Sequence, residues 1–138
     1  MNAPEPTPDS GQVVLVVDDN YPIRESLCRI LTSAGIRSVG ASSYQEAVNL
    51  QSVHLPAVAV IDHRLPDGSG TELARAIKER NPETVVIILT GFAAPGTTVD
   101  PDEQFYAYLI KPVRSTEFVQ IVRDALAESP GARQTNSE

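Results

Sequence analysis

Three stretches of the chain, residues 13–17, 57–61 and 85–89, are unbroken apolar runs rich in β-branched side chains. Continuous runs of this length predict strands covered on both faces, since a strand with one wet face would alternate. After the first run the period changes. Ile23, Leu27, Ile30, Leu31 and Ala34 recur at helical spacing, with Pro22 in the first turn and Gly35 at the end, which predicts an amphipathic helix with its start and stop written in. A weak strand follows over 37–41. Ser43 and Glu46 then have capping-box spacing ahead of a helix carrying Ala47 and Leu50, and Ser69 and Glu72 repeat it ahead of Leu73, Ala76 and Ile77. Asn81-Pro82 stops that helix. A fifth strand is expected over 106–110, and after Lys111-Pro112 a last helix capped by Ser115 and patterned by Phe118, Ile121, Val122 and Ala125.

Strands alternating with helices through short loops imply a parallel sheet with helices on both faces, because each crossover is right-handed and must bury an apolar stripe. The expected fold is therefore α/β, a doubly wound five-stranded parallel sheet of flavodoxin-like order 2-1-3-4-5. Residues 1–11 and 129–138 are polar and carry Pro and Gly, so they read as tails around one domain over 12–128. The length of 138 residues agrees with one core.

Composition narrows the function. The hydrophobic fraction of 41% sustains a folded core, and a net charge of −7 opposes binding to a phosphate backbone. No apolar run approaches the roughly 20 residues of a membrane helix, and no basic, apolar leader opens the chain. No nucleic acid, no membrane and a cytoplasmic location are the expectations. Cys28 is single and has no internal disulfide partner; it is expected to pack at the flank of the first helix. His54 and His63 lack a zinc ligand set and are read as surface residues.

Ligands of doubly wound folds sit beyond the carboxyl ends of the strands. There the sequence places Asp18 and Asp19 after the first strand, Asp62 after the third, Thr90 after the fourth and Lys111 after the fifth. Singly, each has an ordinary explanation: a helix cap, a turn, a surface charge. Together they suit one chemistry. Gathered carboxylates repel unless a cation lies among them, and an all-oxygen cluster suits Mg²⁺. A lysine and a threonine beside it can hold phosphoryl oxygens while a carboxylate acts as nucleophile.

At this point the chain resembles the receiver domains of two-component response regulators. The likeness rests on Val-Leu-Val-Val-Asp-Asp-Asn at 14–20, Ile-Asp-His-Arg-Leu-Pro-Asp-Gly-Ser-Gly at 61–70, Ile-Leu-Thr-Gly at 88–91 and Tyr-Leu-Ile-Lys-Pro at 108–112. The resemblance implies that Asp62 accepts phosphate from a histidine kinase or histidine phosphotransfer protein, and that Asp18, Asp19, Asp62 and the Arg64 carbonyl bind Mg²⁺. It further implies that Thr90 and Lys111 contact the phosphoryl oxygens, that Lys111-Pro112 is cis, and that Thr90 and Tyr108 form a conformational switch acting on a downstream protein. It places Arg64 and Phe92 at the mouth of the site, where they are expected to lengthen the life of the phosphoryl group. Such a domain is a signalling phosphoacceptor rather than an enzyme acting on an external substrate. Two other readings compete: a Mg²⁺-dependent phosphohydrolase, which short loops disfavour, and a phosphorylation-independent interaction module, which the complete acid, threonine and lysine set disfavours.

One segment departs from the family. Residues 91–105 contain Pro95, Gly96 and Pro101, so the helix usual between the fourth and fifth strands is expected to be shortened or replaced by loop. That leaves the usual dimer and output surface without a sequence basis.

Overall fold

The computed structural model describes residues 12–91 and 105–129. Its elements run β1 (Val14–Val17), α1 (Tyr21–Ser33), β2 (Ser38–Ala41), α2 (Tyr44–His54), β3 (Val58–Asp62), β4 (Arg64–Leu65), β5 (Gly68–Ser69), α3 (Gly70–Arg80), β6 (Val85–Thr90), β7 (Ala107–Ile110) and α4 (Ser115–Glu128). Five strands form one parallel sheet in the order β2-β1-β3-β6-β7, while β4 and β5 make a small antiparallel hairpin. The doubly wound order 2-1-3-4-5 expected from the sequence is therefore present, counting the five strands of the large sheet.

The continuous apolar strands divide their side chains between two layers, as the two-residue period of a strand requires. Val14, Val16, Val58, Val60, Ile87 and Leu89 face Leu27 and Leu31 of α1 and Phe118, Val122 and Ala125 of α4. Leu15, Val17, Ala59, Ile61, Val86 and Ile88 face Ala47 of α2 and Leu73, Ala74 and Ile77 of α3. Most of these are fully buried. Burial on both faces explains why the runs are continuous, and roughly 1.5–3 kcal/mol per large apolar side chain drives it.

Helix ends follow local chemistry. Asn20 Oδ1 accepts from the Ile23 N–H at 3.0 Å and Pro22 stands within the first turn of α1. At the other end Gly35 takes φ +80°, and the N–H groups of Gly35 and Ile36 reach back to the Thr32 and Leu31 carbonyls; this reversal needs a left-handed residue, which glycine supplies without strain. Ser43 and Ser69 cap α2 and α3 through the N–H groups of Glu46 and Glu72, both at 3.1 Å. Two expectations need correction. Glu46 returns its bond to the Ser42 N–H rather than to Ser43, so the box is displaced by one residue. The cap of α4 is Arg114, without a side-chain bond, and Ser115 is already helical. The expected loss of the fourth family helix falls on 92–104, outside the described residues.

Candidate functional site

In an open parallel sheet the carboxyl ends of two neighbouring strands part where the chain reverses its winding direction. Here that point lies between β1 and β3, which pair with each other while their connections leave toward opposite sides. Asp62 ends β3, and Asp18 and Asp19 follow β1. One oxygen from each of the three carboxylates lies within 4.8 Å of the others. Their burial differs: Asp18 is fully enclosed, Asp62 is 7% exposed and Asp19 faces solvent.

Asp18 is held on every side. Its backbone N–H donates to the Ala41 carbonyl at 3.0 Å, and its carbonyl accepts from Arg24 Nη1 at 2.8 Å. Oδ1 accepts from the Asn20 N–H at 2.9 Å and Oδ2 from Lys111 Nζ at 3.0 Å. The same ammonium lies 3.4 Å from Asp62 Oδ1, so residues distant in sequence meet because β7 runs parallel to β6 and ends at the same edge. Lys111-Pro112 is cis.

The charges do not cancel one to one. Burial and then the Asp18 charge push the Asp62 carboxyl above its ordinary range, and Lys111 offsets this only in part. Burial acts to lower the Lys111 ammonium, but its hydrogen bond to Asp18 and the charges of Asp18 and Asp62 prevail and hold it above the usual lysine range. One cation shared by two buried carboxylates leaves a pocket short of positive charge, and its donors are oxygens. A hard divalent ion such as Mg²⁺ fits that set, with room for waters on the exposed Asp19 side.

Packing fixes where Asp62 stands. Gly70 opens α3 directly behind it: a Cβ there would overlap the Asp62 carbonyl oxygen and lie 3.0 Å from the His63 Cα. The Gly70 N–H donates to the His63 carbonyl at 2.8 Å. Across the hairpin Asp67 accepts from the N–H groups of Tyr44 and Gln45 at 2.8 and 3.2 Å, which ties the loop after Asp62 to the start of α2.

The remaining candidates are spread around this centre. Thr90 ends β6, half-buried. Tyr108 lies half-buried in β7 on the α2 and α3 side of the sheet, its ring centroid 5.7 Å from that of Phe105. Arg64 is in β4 with an exposed side chain, and its N–H approaches Asp62 Oδ1 at 3.5 Å. Phe92 lies outside the described residues. His54 is exposed, His63 and Cys28 half-buried. Arg24, Gly70 and Asp67 also shape the site, though none is among the side chains that the sequence singles out for chemistry. Only Gly70 carried a local signal, as the second glycine of Asp-Gly-Ser-Gly; the partners of Arg24 and Asp67 lie on other elements.

The comparisons agree with this geometry. The model of the response regulator receiver domain matches residues 14–123. The photosynthetic apparatus regulatory protein RegA of Rhodobacter capsulatus is 36% identical over 90 residues, covering 65% of this chain and 49% of RegA. The acid tolerance regulatory protein ActR of Rhizobium meliloti (strain 1021) is 33% identical over 121 residues, covering 87% of this chain and 60% of ActR. The chain thus spans half to three fifths of the length of these curated relatives. The crystal structure of a CheY-like receiver domain from Methanospirillum hungatei JF-1 superposes with a TM-score of 0.80 at 27% identity, over 89% of this chain and 98% of that one. With a parallel sheet in receiver order, a family match across most of its length and three carboxylates at the switch point, the chain belongs to the response regulator receiver domains of two-component signalling.

Proposed function

We propose that this domain accepts a phosphoryl group on Asp62 from a histidine kinase or histidine phosphotransfer protein, and that the change is passed to a downstream protein or output domain. The observation that carries this reading is the placement of Asp62 at the end of a central strand, with Lys111 Nζ at 3.4 Å and the carboxylates of Asp18 and Asp19 beside it. Asp18, Asp19, Asp62 and the Arg64 carbonyl would hold Mg²⁺, which when bound neutralises charge on the phosphoryl oxygens. Asp62 supplies the nucleophilic oxygen, and Lys111 stabilises the negative charge that develops opposite it. Thr90 is at hand to bond a phosphoryl oxygen, and Tyr108, on the neighbouring edge strand, to follow its movement.

The domain spans 12–128 and works in the cytoplasm without contacting nucleic acid or membrane itself; among the described residues no helix is long and apolar enough to cross a membrane. RegA and ActR are regulatory proteins longer than this chain, which favours a regulatory output. Arg64, exposed beside Asp62, restricts water and slows autodephosphorylation.

Labelled acetyl phosphate with Mg²⁺ tests this. Wild type takes up about one phosphoryl group per chain, Asp62→Asn takes up none, and label on Arg64→Ala decays faster than on wild type. Full labelling of Asp62→Asn would remove the assignment.

A further inference from the structure

Asp19 differs from its two acidic neighbours. Among the described residues no hydrogen bond or ion pair holds its exposed carboxylate, whereas Asp18 and Asp62 are enclosed and bonded. What aims Asp19 is its own backbone, and the peptide that joins it to Asp18 has its carbonyl gripped by Arg24 Nη1 at 2.8 Å. We propose that Arg24 is a positioning residue for the metal site: by fixing the plane of the Asp18–Asp19 peptide it sets the direction in which Asp19 presents its carboxylate. This inference rests on the reading of the acidic cluster as a Mg²⁺ site.

Three features hold the arginine for that task. Its side chain is half-buried rather than free in solvent. Its guanidinium lies over the Tyr21 ring, Cζ standing 5.3 Å from the centroid, which limits its rotation. Its stem crosses β2 at Gly40, where an added Cβ would come to 3.2 Å from Cδ and 3.3 Å from Cγ. Gly40 therefore serves as the passage through which the side chain runs from α1 to the end of β1. A planar, charged donor suits a single backbone carbonyl better than a flexible ammonium does. Groups that orient metal ligands in this way commonly govern affinity by about 10–100-fold.

The sign of the effect separates positioning from charge. A guanidinium near a cation site repels the cation, so on charge alone its removal tightens Mg²⁺ binding. Loss of positioning weakens it. The experiment is a calorimetric titration of Mg²⁺ into the folded chain and its variants, with circular dichroism of each metal-free protein as a check on folding. Arg24→Met, which keeps the stem and removes the donors, is expected to bind Mg²⁺ about tenfold more weakly, and Arg24→Lys to recover part of that loss. Gly40→Ala keeps every charge and displaces only the stem; it is expected to show a smaller loss in the same direction. Equal or tighter binding by folded Arg24→Met overturns the proposal. Should that variant not fold, unchanged affinity in Gly40→Ala overturns it instead. Absence of binding by wild type would fail the metal-site reading itself and the Arg24 role with it, whereas wild-type binding that is lost in Asp19→Asn but unaltered in the Arg24 variants refutes the positioning role alone.

Discussion

The centre of the sheet and its β7 edge are built from similar residues but under different constraints. β3 pairs with strands on both sides and is buried along its whole length, while β7 pairs with β6 alone and its residues are half-buried or exposed, Ile110 at 55%. The acid proposed to take the phosphoryl group stands at the end of the first, and the aromatic proposed to move stands on the second. Covalent chemistry needs atoms held in place, and a switch needs an element whose displacement breaks few contacts. The contrast suggests that the fold assigns the two tasks by the number of neighbours a strand has.

The sharpest challenge to this comparison is a pair of matched truncations. Ile61→Ala, in the fully buried strand, is expected to cost about 2–5 kcal/mol of unfolding free energy, and Ile110→Ala, on the edge, no more than about 0.5 kcal/mol. Denaturant titrations of the two measure the difference; comparable losses would mean that β7 is as firmly packed as the centre.

A smaller effect concerns the charge at the centre. Because the Asp62 carboxyl is raised above its ordinary range by burial and by Asp18, its ionised form costs the fold stability. That cost is absent below the unfolded value near 3.8 and is present in full above the raised folded value. Asp62→Asn is therefore expected to melt at a higher temperature than wild type in metal-free buffer at pH 7, and Mg²⁺ is expected to stabilise wild type more than the variant. Thermal melts with and without Mg²⁺ read both.

The smallest effect lies outside the site, in the loop that leaves it. Asp67 is held below the usual carboxylate range by the backbone N–H of Tyr44 and then that of Gln45. The stability this contributes is present above the unfolded value of 3.8 and is lost as the pH falls through the lower folded one. Asp67→Asn is expected to flatten the acid limb of the stability curve slightly, without changing Mg²⁺ affinity at pH 7. A change in that affinity would show that the hairpin, and not only Gly70, governs where Asp62 stands.

What the residues dictated by themselves was the order of elements and the chemistry at one edge. Strands buried on both faces announce themselves as continuous apolar runs, helices by their period and by Pro22, Gly35, Ser43 and Ser69 at their ends, and the site by acids, threonine and lysine falling just after strands. These signals are local, each readable within a few residues. The tertiary structure decided what depends on distance across the chain: that one lysine is shared by Asp18 and Asp62, that Asp62 closes β3 and α3 presses against its carbonyl at Gly70, that Asp67 caps α2 from another loop, and that Arg24 passes over Gly40 to reach the Asp18 carbonyl. Such contacts leave no period in the sequence, because hydrogen-bond partners that meet through the packing of a sheet and its helices need share no spacing along the chain.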